Sequence, residues 1–320
     1  MPAPCFHVQL RLWPHDFAAA TWQERPEDEL AAYLAFYGLA GAEEKYFGAV
    51  KAGWVHQEQQ RCWLQAYQPE LTAGQMAAGT LVHLHGYYDH GGLYPHLQRW
   101  ALQQRLYYLA LDLPGHGLSA GPRAVIRDFS EYQACLHALV DTLKAQKLPR
   151  PWLLTGFSTG GAIALEHCLS NPCFDRFALL APLVRPVGWQ VSRRWLPLLS
   201  LFLRHLPRKF RDNTRDAAFL ELVRNRDPLQ ARRLPLVWVR ALNRWIKRVE
   251  KAPAAGGSVL VVQGDQDTTV DWQYNLSVLH RLLPEAQVAL IEGAGHQLLN
   301  ETAEYRQQVL QQLEKGLLAN

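Results

Sequence analysis

Apolar and polar positions alternate along the chain in two distinct rhythms. From residue 79 onward, apolar runs of strand length are separated by segments whose apolar residues recur every three or four positions. That alternation predicts an α/β fold, a mostly parallel central sheet wound with crossover helices. The strand runs cover 79–85, 106–113, 152–156, 177–183, 258–263 and 287–291, and helices are predicted over 93–104, 129–147, 272–283 and 303–317. The clearest of these is 129–147, where Phe129, Tyr132, Leu136, Leu139, Val140 and Leu143 make one apolar face. Earlier in the chain, 26–39 opens with Pro26 and acidic residues before apolar positions at helical spacing, the signature of a helix start. Two aromatic-rich runs, 45–53 and 61–68, flank a polar stretch and read as paired strands at a sheet edge.

Charge changes this picture in one place. Residues 185–251 hold 17 Lys or Arg against 5 Asp or Glu, whereas the whole chain carries only +4, so the remainder is net acidic. Because the α/β alternation resumes beyond it, the basic stretch is an insertion and not a terminal domain. The predicted organisation is an N-terminal extension with the first part of the core over 1–184, an inserted, mainly helical module over 185–255, and the second part of the core over 256–320.

With 320 residues, 48% hydrophobic and 19% charged, the chain has the composition of a folded globular protein, which excludes disorder. Its five cysteines (Cys5, Cys62, Cys135, Cys168, Cys173) are scattered and lack CxxC spacing, which argues against a disulfide framework and a zinc site. No signal-peptide pattern or stretch of about 18 apolar residues is present. The expected location is cytoplasmic, with room for peripheral contact at the inner membrane surface.

Gly156-Phe157-Ser158-Thr159-Gly160 lies between a predicted strand and a small-residue helix. The string alone also suits a flexible loop, but strand, sharp turn and helix together suit a nucleophilic serine. Gly156 and Gly160 leave room for the tight turn, and the helix N-terminus with the N–H of Thr159 faces any oxyanion formed beside Ser158.

Such a serine needs a base, and the base needs an orienting acid. His296, in Gly293-Ala294-Gly295-His296, follows the strand 287–291. The acid follows the strand 258–263, where Asp267 and Asp265 compete with Asp271 behind them, and Asp267 is preferred as lying farther into the loop. Both loops sit at strand ends, where parallel sheets place their sites. His85-Gly86-Tyr87 ends the strand 79–85, and the Tyr87 N–H is the candidate second oxyanion donor. A metal site from His83, His85, Asp89 and His90 is the weaker reading, since two of these belong to a buried strand. No cofactor or metal is expected.

Taken in order, HGYYDHGGLY (85–94), LDLPGHGLSAGPR (111–123), GFSTGGAIAL (156–165), LAPLV (180–184), QGDQDTTV (263–270) and EGAGHQLLNE (292–301) resemble the monoacylglycerol lipase and lysophospholipase branch of the α/β hydrolases, also labelled serine aminopeptidase S33-like. The resemblance implies triad roles for Ser158, Asp267 and His296 and an oxyanion hole from the N–H groups of Tyr87 and Thr159. Where that family usually has His before and Met after the serine, this chain has Phe157 and Thr159. A backbone donor survives that exchange, but the shape of the acyl pocket does not follow from it.

The resemblance also implies that the basic insertion is a cap over the site. Within it, 193–211 places an uncharged run (195–203) between arginine clusters. Two readings stand: a helix packing its Leu and Trp side chains onto the main domain, or an interfacial segment held to anionic headgroups. Trp189, Trp195, Trp238 and Trp245 are not framed by a nucleic-acid module, and no nucleic acid is expected. A basic cap disfavours a peptidase, which has a cationic amino terminus to neutralise, and suits a lysophospholipid or monoacylglycerol. The alternatives are a thioesterase or short-chain carboxylesterase, and a catalytically silent fold used for binding.

Overall fold

The computed structural model describes residues 6–12, 15–41, 43–57, 60–170 and 172–318. Its strands are β1 (Phe47–Gln57), β2 (Gln60–Pro69), β3 (Gly79–Leu84), β4 (Leu106–Leu111), β5 (Trp152–Phe157), β6 (Arg176–Leu180), β7 (His205–Pro207), β8 (Arg233–Pro235), β9 (Val259–Gly264) and β10 (Gln287–Ile291). The helices are α1 (Phe6–Arg11), α2 (Asp28–Tyr37), α3 (Pro95–Gln103), α4 (Ser130–Ala145), α5 (Thr159–Ser170), α6 (Trp189–Phe202), α7 (Ala217–Glu221), α8 (Leu236–Val249), α9 (Trp272–Leu282) and α10 (Ala303–Leu313).

Eight strands form one sheet in the order β1-β2-β4-β3-β5-β6-β9-β10. The aromatic-rich hairpin β1–β2 joins antiparallel to β4 at one edge, and every other pairing in this sheet is parallel. β3, β5 and β9 are buried along their whole length, as strands covered on both faces must be. Alternate side chains feed two separate apolar cores. On β9, Val259 and Val261 join the cluster under α4, α5 and α8, while Leu260 and Val262 join the one under α2, α3 and α10.

The first strand runs Phe47–Gln57 where 45–53 is expected, and α2 covers Asp28–Tyr37 within the expected 26–39. Two further boundaries differ from the sequence reading for identifiable local reasons. The strand expected to reach 183 stops at Leu180, because Ala181 turns to a φ of 42° and the Leu183 N–H bonds back to the Ser158 carbonyl. The helix expected from 93 begins at Pro95, where a missing N–H costs nothing, after a 3-10 turn at Gly91–Leu93. Ahead of β1, bridges Asp16↔Trp54 and Gln23↔Val50 lay an irregular segment along the outer strand. That segment covers an edge that would otherwise offer unpaired backbone groups.

Between β6 and β9 lie α6, the β7–β8 ribbon, α7 with a π turn at Leu222–Arg226, and α8. The faces of α6 and α8 are opposites. Trp238, Leu242, Trp245 and Val249 of α8 are buried, with Trp245 stacked 5.0 Å from Phe129. On α6, Val191, Trp195, Leu198 and Phe202 share a face at helical spacing and are 62%, 57%, 48% and 79% exposed.

Candidate active site

Ser158 occupies the single-residue turn between β5 and α5, with a φ of 51° and its N–H bonded to the Leu180 carbonyl at 2.9 Å. A left-handed backbone at a non-glycine residue costs on the order of 1–3 kcal/mol and persists only where the surroundings impose it. Here the flanking glycines impose it. A Cβ on Gly156 would come within 2.3 Å of the Gly160 carbonyl oxygen, and one on Gly160 within 2.0 Å of that of Leu84.

His296 stands in the loop after β10 with its Nε2 3.0 Å from Ser158 Oγ and its Nδ1 2.6 Å from Asp267 Oδ2. Asp267, in the loop after β9, accepts the Thr269 and Val270 N–H groups on Oδ1 and the Gln263 amide on Oδ2. Burial pushes its carboxyl upward, but the facing His296 and these donors outweigh it, and its pKa lies below the usual carboxylate value. The competing acids are elsewhere. Asp265 accepts the Gly293 N–H at 2.7 Å, tying the two loops together, and Asp271 is exposed at the start of α9. Sequence reasoning passed over Glu301, which is fully buried and holds the histidine loop by accepting the Gly295 and Arg215 N–H groups and the Thr214 hydroxyl.

Tyr87 and Thr159 line the same cavity as Ser158 and His296. Gly86 packs so closely on Phe157 that a Cβ there would lie 2.8 Å from the ring. The ring of Tyr87 stacks on Trp238 of α8, and its hydroxyl donates to the Ala124 carbonyl. His83, His85, Asp89 and His90 each have a separate protein partner: Thr155, the Gly86 carbonyl and Leu113 N–H, Tyr94, and Asp227. Among the described residues no group of three or more His, Cys, Asp or Glu side chains gathers at metal distance.

The cavity measures about 250 Å³. Its walls are largely apolar and aromatic, and the segment between β6 and β9 contributes Arg208, Lys209, Arg211 and Arg224 to the lining, against a single carboxylate, Asp89.

Residues 75–303 match the model of the family described as serine aminopeptidase, S33. The chain belongs to this family of α/β hydrolases. Its relatives include human monoglyceride lipase, 30% identical over 72% of this chain and 78% of that protein, and the monoacylglycerol lipase of Mycolicibacterium smegmatis, 28% identical over 70% and 82%. The phospholipase YtpA of Bacillus subtilis is 27% identical over 69% of this chain and 89% of its own. In three dimensions the chain superposes on a soluble variant of the Saccharomyces cerevisiae monoglyceride lipase with a TM-score of 0.68, covering 83% of this chain and 96% of that one at 16% identity. Superposition on Paleococcus ferrophilus monoacylglycerol lipase gives 0.64 at 18% identity, over 76% and 96%. At these identities the structures show the shared fold.

Ahead of the S33 match, α2 also reaches toward the site. Tyr37 donates its hydroxyl to Asp227 Oδ1 at 2.7 Å, and the other oxygen of Asp227 lies 3.0 Å from His90 Nε2 with both side chains fully buried. Burial opposes both charges, but the pairing prevails, holding Asp227 to about 2 and raising His90 above its ordinary value. Asp227 also accepts the Gln230 amide, whose oxygen receives Arg208. One signal for this network was present in the sequence: Asp227 is one of only 5 acids in the basic stretch.

Proposed function

We propose that the protein is a serine hydrolase of lipase type that cleaves carboxylic esters of long-chain acyl groups, a lysophospholipid or monoacylglycerol, through an acyl-enzyme. The observation that carries this reading is the continuous chain Asp267–His296–Ser158, with contacts of 2.6 and 3.0 Å, opening into a largely apolar cavity. His296 Nε2 takes the proton of Ser158 as Oγ attacks the acyl carbonyl. The N–H groups of Tyr87 and Thr159 hold the oxyanion, and His296 returns the proton to the departing alcohol. Water then cleaves the acyl-enzyme by the same proton path. Asp267 keeps the imidazole in the tautomer that leaves Nε2 free to accept, and stabilises the imidazolium once it forms.

Within the S33 family, peptidase activity is the less suitable reading for this chain. A cationic amino terminus meets four basic side chains and one carboxylate in the lining. The wall residues and the relatives' names favour lipid esters over small ones.

Residues 185–255 serve in this reading as a cap over the site. The exposed apolar face of α6, between Arg193, Arg194 and Arg204, suits shallow insertion into an anionic membrane surface. No helix among the described residues is long and apolar enough to cross a membrane. The scattered cysteines suit a reducing, cytoplasmic setting with peripheral membrane contact.

Fatty-acid release by the purified protein from oleoyl lysophospholipid, monooleoylglycerol and short-chain esters, with Ser158→Ala as control, tests the reading. Ser158-dependent preference for a long-chain lipid is expected. Release that persists in Ser158→Ala, or undiminished fluorophosphonate labelling of that variant, overturns it.

A further inference from the structure

The cavity contains a cation that no carboxylate neutralises at contact distance. Arg208 follows β7, and its guanidinium lies between two aromatic rings, 4.1 Å from the centroid of Tyr88 and 4.2 Å from that of Phe210. Its Nη1 donates to Gln230 Oε1 and to the Ala231 carbonyl. Among the described residues, Nε and Nη2 have no protein acceptor, and Arg208 belongs to no ion pair. Some arginines of the same basic segment have carboxylate partners, Arg185 with Glu250, Arg224 with Asp212, and Arg244 and Arg248 with Asp128, while Arg211 and Arg232, like Arg208, donate to carbonyl oxygens. Asp89 and Asp227 act on Arg208 only through space, and burial holds its pKa below the ordinary guanidinium value.

A guanidinium fixed by two rings and two acceptors in a partly buried wall has lost much of its hydration without gaining a counter-ion. Such a group is prepared for an anion arriving with the ligand. The free Nε and Nη2 donors form one edge of the planar fork, the arrangement that takes two oxygens of a phosphate at once. Lys209 and Arg211 line the same cavity, so a head group carrying its own quaternary ammonium would bring a positive charge against them.

We propose that Arg208 reads the head group of the substrate, and that the cavity selects long-chain acyl esters whose alcohol carries a net negative phosphate over neutral glycerol esters and over zwitterionic choline esters. This inference rests on the ester-hydrolase reading above. Gln230, held by Asp227, is the positioning residue that sets the guanidinium.

The test compares kcat/KM of the full chain for three oleoyl esters in monomeric solution: lysophosphatidic acid, lysophosphatidylcholine and monooleoylglycerol. The wild type should favour lysophosphatidic acid over each of the others by about tenfold or more, the scale of one charge-assisted contact. Arg208→Gln should collapse both ratios, Arg208→Lys should restore part of them, and Gln230→Leu should lower them less than Arg208→Gln. Arg240→Gln, an exposed cation of α8 outside the cavity, should leave the ratios in place, which separates head-group reading from general attraction of anionic lipid to a basic surface.

Should Arg208→Gln fail to fold, two measurements on intact cavities decide. Glycerol 3-phosphate should raise KM for 4-nitrophenyl butyrate without lowering kcat, where glycerol does not, and it should bind Ser158→Ala in calorimetry. Equal kcat/KM for the three lipids, ratios that survive Arg208→Gln, or glycerol 3-phosphate that neither competes nor binds would each overturn the head-group assignment while leaving ester hydrolysis standing. Absence of Ser158-dependent hydrolysis of every ester would instead overturn the parent reading, and the calorimetry would still report on Arg208.

Discussion

The indole of Trp238 lies nearly parallel to the ring of Tyr87, 3.7 Å away and 20° from coplanar, so a helix of the basic segment is stacked directly on the residue proposed to donate to the oxyanion. The indole N–H is also bonded, to the Tyr132 hydroxyl at 3.1 Å, which fixes the plane of the stack. Trp238→Ala should therefore cost about 3–5 kcal/mol of stability for a buried large-to-small change. By freeing the Tyr87 backbone it should also lower kcat by about tenfold to a hundredfold, up to the scale of a misplaced oxyanion donor. Trp238→Phe keeps a ring on the stack and loses one hydrogen bond, about 1 kcal/mol. Urea unfolding alongside steady-state turnover of a short ester checks both, and equal kcat in the two variants would show that the stack does not govern the donor.

Two carboxylates two residues apart make different contacts and so predict different losses. Asp267 touches His296, whereas Asp265 accepts from Gly293 and holds the loop. Asp267→Asn should lower kcat by about 10⁴-fold, the scale of a triad histidine held in the wrong tautomer. Asp265→Ala should remove about 1–2 kcal/mol of stability with activity retained within tenfold. A larger loss of kcat in Asp265→Ala than in Asp267→Asn would reverse the assignment.

The buried His90–Asp227 pair gives stability a pH dependence of defined sign. Burial disfavours the His90 cation, but Asp227 outweighs it and raises the pKa above 6.5. That contribution is complete below 6.5 and is lost as pH rises through the higher folded value. The share of Asp227, held to about 2, is present above 3.8 and is lost only as pH falls toward 2. Between pH 6 and pH 9 the stability advantage of the wild type over Asp227→Asn, in which His90 has lost its hydrogen-bonded carboxylate, should shrink. The histidines whose pKa burial lowers, among them His83, His85 and His116, oppose this trend in both proteins and cancel in the difference. An advantage in urea unfolding that stays constant or grows with pH would contradict this account.

What the sequence disclosed follows from how each part is buried. β3, β5 and β9 are covered on both faces, so their apolar runs are continuous, and the loops that follow them carry Gly86, Ser158 and Asp267. Tyr37, Arg208, Asp227 and Gln230 were not legible as a group because polar networks have no period. They join through side chains from α2, a loop and the end of a π turn, up to 190 residues apart in the chain. The segment along β1 was silent for a similar reason: Asp16 and Gln23 meet the sheet through isolated bridges with no apolar rhythm between them. For α6, composition left the orientation of its apolar residues open, and the structure turns Trp195, Leu201 and Phe202 outward.

That orientation makes a separable prediction about where the enzyme works. Leu201 and Phe202 are 77% and 79% exposed and make almost no contribution to the core, so replacing both with Ser should leave the unfolding midpoint near that of the wild type. Removing two large apolar side chains from an interfacial face should weaken partition onto vesicles by about 2–5 kcal/mol, taking the two side chains as fully inserted. The double variant should bind anionic vesicles at least tenfold more weakly in co-sedimentation and turn over vesicle-borne lipid more slowly, with a much smaller effect on a soluble short-chain ester. Raising the salt should weaken the binding of both proteins, since Arg193, Arg194 and Arg204 supply the electrostatic part. If vesicle binding survives the double substitution, the membrane contact lies on another face and α6 awaits a different partner.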